Sequence, residues 1–199
     1  STFDLTFNSI YHDIADHPEI FGNKPMMLSE FAAAEFAGKP AWIRDAFANG
    51  RIPHRIAKNL PTDDCDTEDA TWFSGKAWKD ITRDDWETHP GAFSAFEPEA
   101  FIYFLPSILQ TSQGDAFNRT QAADSLLRIL DRSPVVEHWD SFMCRRLLGL
   151  TSEQYDVIRA WLLSFSGTDD EETLTRSYET VELLKQETKR LRKLTGVND

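Results

Sequence analysis

The segment from Pro98 to Gln113 constrains the fold of this chain more than any other. Pro98 suits the first position of a helix, where its missing N–H would have no partner in any case. Behind it, Phe101, Leu105, Ile108 and Leu109 form one stripe at helical spacing, and Ile102, Tyr103 and Phe104 make the opposite side apolar too. A helix apolar on nearly every side has no face to give to water and belongs at the centre of a bundle. Pro106 removes the hydrogen bond to the Ile102 carbonyl and predicts a kink there. The expected fold is therefore mainly α, an irregular multi-helix bundle around a central apolar helix at about 98–113.

Caps and periodicity place further helices on both sides. Leu5 to Ala15 carries Leu5, Ile10, Tyr11 and Ile14 on one face and stops near His17-Pro18. Ser29 caps an Ala-rich helix through Phe36, and Ala41 to Ala48 turns Trp42, Ala46 and Phe47 inward before Asn49-Gly50. Arg51 to Leu60 is ambiguous. Thr120 to Leu130 is helical, and Ser133-Pro134 opens a helix through Trp139, Phe142 and Met143 to Leu148, ended by Gly149. Thr151 with Gln154 fits a capping box ahead of the stripe Tyr155, Ile158, Leu162 and Phe165. Thr168 with Glu171 fits a second. The last helix then runs to about Leu194, with Leu174, Tyr178, Val181, Leu184, Leu191 and Leu194 on one side. Acids at its start and bases from Lys185 to Lys193 complement the helix dipole without any ligand. No run of alternating residues suggests a strand. The expected organisation is one domain over 1–199, with N-terminal helices in 1–40, a core in 41–166 and an amphipathic helix in 168–195.

Charge narrows the partners. The formal net charge is −12, which repels phosphate backbones and anionic lipid surfaces and steers basic proteins inward. Nucleic acid and membrane are accordingly not expected as partners. Cys65 and Cys144 stand alone, and no basic and apolar leader is visible at the start, so a cytoplasmic location is expected.

Searches for chemistry return little. His12 and His17 would lie about 140° apart on a helix and cannot chelate together. His54, His89 and His138 fit no metal motif either, and all five read as surface histidines. The run from Asp64 to Asp69 alternates carboxylates as calcium loops do, but Asp69 and Gly75 stand where glycine and glutamate are required. Gly75-Lys76 lacks the other P-loop positions, and Ser166-Gly167 is not a nucleophile elbow. Cys144 has Arg145 beside it, which would lower a thiol pKa, although a structural thiol is the simpler reading. No catalytic, cofactor-binding or metal-binding residue is assigned.

One stretch remains. Residues 60–99 hold eleven acids against three bases, with Trp72, Phe73, Trp78, Trp86, Phe93 and Phe96 interleaved. Acids around aromatics resemble an interface with anchors and a steering rim. The alternative is that the tryptophans pin a long acidic loop region onto the core. The candidate partner-binding residues are Asp63, Asp64, Asp66, Glu68, Asp69, Trp72, Trp78, Asp84 and Asp85.

Glu97-Pro98-Glu99-Ala100-Phe101-Ile102-Tyr103-Phe104-Leu105-Pro106 resembles the hallmark helix of an uncharacterised bacterial domain family. Members of that family also have an upstream Ala-Phe helix, here Asp45-Ala46-Phe47, and a downstream Leu-Thr-x-x-Gln helix, here Leu150 to Gln154. The resemblance spans roughly residues 41–166. It implies a helical fold and a bacterial origin, and it assigns no catalytic residue.

Acidic charge with no catalytic signature points to a non-catalytic protein-binding role. The expectation is an immunity protein or antitoxin that neutralises a basic cognate toxin by contact. Two alternatives are an enzyme with an unrecognised carboxylate site, hydrolase-like, and a regulatory or scaffold adaptor docking through its C-terminal helix.

Overall fold

In the computed structural model, residues 40–57, 65–113, 119–165 and 171–196 are described, and helix is their dominant conformation. The expected helices at 5–15 and 29–36, the Thr168 cap, and Asp63 and Asp64 lie outside these residues. The helices are α1 (Pro40–Ala46), α2 (Cys65–Trp72), α3 (Arg83–Thr88), α4 (Ala92–Ala95) and α5 (Pro98–Thr111). They continue as α6 (Gln121–Leu130), α7 (Ser141–Leu147), α8 (Ser152–Leu163) and α9 (Glu171–Thr195). Short 3₁₀ turns occur at Trp78–Asp80 and Val136–His138. Among the described residues there is no strand, only an isolated antiparallel bridge between Ala57 and Phe96.

The central helix is α5. Pro98 stands at its start, and the helix carries through Pro106. Phe101, Phe104, Leu105, Ile108 and Leu109 have no exposed surface. Around it pack α1, α6, α7 and the turn at Trp78–Asp80. Burial of side chains this large supplies the main stabilisation, at roughly 1.5–3 kcal/mol per fully buried apolar residue. One polar group in this layer needs a partner. The Ser107 hydroxyl donates to the Phe104 carbonyl at 2.6 Å and accepts the Trp86 indole N–H at 3.2 Å.

Caps fix the helix starts. Thr151 and Gln154 form the reciprocal box, and Gln154 also donates to the Ala46 carbonyl, fastening α8 to α1. Tyr155, Ile158, Leu162 and Phe165 are all buried as their spacing requires. The start of α7 differs from expectation. The helix begins at Ser141, because the Asp140 carboxylate accepts the Met143 N–H at 2.8 Å, whereas Ser133 caps only the turn at Val135. The intervening Trp139 is buried and donates its indole N–H to the Ser133 carbonyl, and the segment 133–139 forms only a single 3₁₀ turn in place of α-helix. Gly149 follows α7 with φ +100°, a conformation that favours glycine.

The last helix packs on α8 and α6. Leu174, Val181 and Leu184 are buried and Tyr178 is partly so, but Leu191 and Leu194 are 39% and 72% exposed. The predicted stripe therefore loses its cover over the last two turns. Between α8 and α9, Arg159 bridges Asp156 at 3.2 Å and Glu182 at 2.8 Å, and Lys185 reaches Asp156 at 2.7 Å. Nearby, the Gly149 N–H donates to the Thr188 hydroxyl, which contacts the Tyr155 hydroxyl at 2.7 Å. That phenol in turn donates to the Leu147 carbonyl at 2.6 Å.

Burial pushes the Tyr155 phenol above its ordinary pKa, against the opposing effect of its hydrogen bonds. A raised folded-state pKa contributes stability that is full below about pH 10 and is lost as pH rises further. Tyr155→Phe is expected to lose about 1–2 kcal/mol in urea unfolding at neutral pH, since Thr188 and the Leu147 carbonyl lose a partner. The same variant should show a shallower stability decline above pH 10 than the parent protein.

Candidate protein-docking surface

The acidic stretch, expected as a long loop region, is folded into α2, a 3₁₀ turn and α3. Asp66 and Glu68 lie in the first turn of α2, where the dipole favours carboxylates. Ala70 and Phe73 face the core, and Glu68, Asp69 and Trp72 lie within one turn of one another on the outer side. A helix in place of a loop also excludes the calcium-loop geometry at Asp64–Gly75, because α2 runs straight through it.

Trp72 is 36% exposed and is the one aromatic among the exposed large hydrophobics of the described residues. The His89 ring stacks on it with centroids 4.3 Å apart at 25°. The Lys76 ammonium sits 3.8 Å from the Trp72 centroid. The indole therefore has both an imidazole and an ammonium packed against its ring. Asp69 holds the imidazole in place. One of its carboxylate oxygens lies 3.2 Å from His89 Nδ1, and the other accepts the Gly91 N–H at 3.1 Å. This places an imidazole and an indole, both preordered, on an acidic face.

Gly91 allows the approach. A Cβ at that position would lie 2.1 Å from an Asp66 carboxylate oxygen. Gly91→Ala is therefore expected to force Asp66 and the start of α2 aside, with a loss of about 1–3 kcal/mol in chemical denaturation. Asp66→Ala in the same background should recover part of that loss.

The structure leaves some of the candidate partner-binding residues at the surface and commits or buries others. Asp66, Glu68 and Asp84 are exposed, as Trp72 is. Asp69 is half-buried and committed to His89 and Gly91. Asp85 is half-buried and serves as the capping-box partner of Thr82, accepting its N–H and hydroxyl at 2.8 Å each. Trp78 is only 7% exposed, with its N–H donated to the Tyr103 hydroxyl. It sits in the core with Phe73, Trp86, Phe93 and Phe96, so of the six interleaved aromatics Trp72 alone reaches solvent. Asp63 and Asp64 lie outside the described residues. His89, expected as a plain surface histidine, is instead part-buried and stacked on Trp72. No local sequence signal marks it, Gly91 or Lys76 for this site. The contacts with Asp69 span 20 and 22 residues, beyond any local pattern.

Enzymatic readings need a pocket with paired carboxylates near His54 or His89. His54 is exposed, and a cleft of about 160 Å³ beside α5 holds one carboxylate, Glu99, and no histidine. Burial and then Asp140 raise the Cys144 thiol pKa, which reverses the activation that Arg145 suggests. Both cysteines are free thiols. Among the described residues no group of three or more His, Cys, Asp or Glu side chains could hold a metal ion. None of their helices is long and apolar enough to cross a membrane.

A family model for a family of unknown function (DUF6714) matches residues 41–187. The chain belongs to this family. Its match begins where the motif resemblance begins, at the start of α1, and runs past 166 into α9, so the last helix belongs to the matched region as far as residue 187. No curated protein and no solved structure matches the chain.

Proposed function

We propose that the protein binds a basic protein partner through the face built from α2, His89 and α3. The observation that carries this reading is Trp72. A large aromatic that is partly exposed and already packed against His89 and Lys76 loses little conformational freedom on binding. The exposed carboxylates of Asp66 and Glu68 on the same helix, with that of Asp84 on α3, attract positive charge and speed encounter. Within this reading the protein is a bacterial immunity protein or antitoxin that covers the active surface of a basic toxin. Catalytic surfaces that handle nucleic acids or nucleotides are often basic, and an acidic protein complements them.

The product of the adjacent gene is the partner to try first. Co-purification of the two chains, with rescue of growth when both are expressed, is the expected result. A toxic neighbour that neither binds nor is neutralised would end the inhibitor reading.

A second reading draws on the Asp69–His89 pair, because a carboxylate on Nδ1 is how proteins orient an imidazole for proton transfer. Hydrolysis of small ester or phosphoester probes that disappears in His89→Gln would favour it over docking.

A further inference from the structure

The central helix is covered least fully at Ile102. From Ala100 to Leu109, Ile102 is the one residue that is not buried. The cleft of about 160 Å³ lies against it. Phe47, Ile102 and Tyr103 give it apolar walls, and Gly50 keeps it open, since a Cβ there would lie 3.2 Å from the Tyr103 ring. The walls are held in place. Gln154 spends its amide on the Thr151 N–H and the Ala46 carbonyl, and the Tyr103 hydroxyl accepts the Trp78 N–H. Arg51 and Glu99 also line the cleft, one positive and one negative, both exposed. Among the described residues neither takes part in an ion pair.

We propose that this cleft binds a small zwitterion carrying one apolar side chain, the chemistry of a free hydrophobic amino acid. The carboxylate pairs with the Arg51 guanidinium, whose fork matches two carboxylate oxygens. The ammonium pairs with Glu99. The side chain lies on Ile102 and completes its cover. An apolar cavity of about 150 Å³ holds a benzene ring, so a phenyl or leucine-sized group fits the space. Because the walls are already ordered, binding requires little rearrangement. This site goes beyond the docking reading and does not depend on it.

The test is titration of the full chain with L-phenylalanine and L-leucine, followed by NMR at the Ile102 methyls and the Tyr103 ring. Saturable shifts at both residues are expected. Arg51→Ala and Glu99→Gln should each weaken binding by about tenfold or more. Both positions are exposed, so the variants should keep the parent unfolding midpoint. N-acetyl-L-phenylalanine amide, which has neither charge, should not saturate. Absence of saturation at Ile102 up to about 10 mM would overturn the proposal. So would equal binding of the neutral analogue, which would leave an apolar cleft with no zwitterion recognition.

Discussion

Trp86→Ala is expected to remove about 3–5 kcal/mol of stability, the range for emptying a fully buried large aromatic site. Trp86 has no exposed surface, lies 4.7 Å from Phe73 by ring centroids, and donates its indole N–H to Ser107 on α5. Its loss opens a cavity between the acidic helices and the central helix and leaves one acceptor on Ser107 without its donor. A domain of this size is stable by only about 5–15 kcal/mol, so the variant should sit near the edge of folding. Urea unfolding measures it. Trp72→Ala supplies the contrast, because Trp72 is exposed and its stacking partners are part-exposed; a loss of about 1 kcal/mol or less is expected. Similar losses at the two tryptophans would contradict the division between a core residue and a surface anchor.

The second large effect is electrostatic. Glu68→Lys with Asp84→Lys reverses two exposed carboxylates on α2 and α3 that make no capping bond through their side chains. Affinity for a basic partner should fall by about tenfold or more at low salt, mainly through slower association. The salt dependence of binding should flatten as well, since fewer charges remain to be screened. Stability should fall by about 1–2 kcal/mol, because both carboxylates sit in the first turn of a helix, where the dipole favours them. Asp69 is unsuited to this test despite its charge, because it holds His89 and Gly91 in place. An affinity change there would mix docking with folding.

Much of the fold is legible in the sequence where one physical signal has no rival. Pro98 and the all-round apolar run after it admit only a buried helix, and α5 is central. Thr151 with Gln154 forms a box because its spacing satisfies two backbone donors at once. Rival signals mislead. Ser133-Pro134 and Asp140 are both valid helix starts, and burial of Trp139 after a lone 3₁₀ turn selects Asp140. Periodicity also says nothing about reach. The last helix has 25 residues and is about 37 Å long, against about 18 Å for the 12 residues of α8, so Leu191 and Leu194 run past the core. In the candidate docking face the acids and Trp72 are legible by composition. The Asp69–His89–Gly91 ties are not, because they join residues brought together only by the packing of α2 on α4.

The docking claim meets its most direct test at the Trp72 indole. The purified chain is titrated with the protein encoded by the adjacent gene, and the indole N–H resonance is followed by NMR at low and high salt. The account predicts a saturable shift at Trp72, lost in the Glu68→Lys, Asp84→Lys variant and weakened by salt. A complex that forms with Trp72 unmoved, at an affinity indifferent to salt, would contradict it.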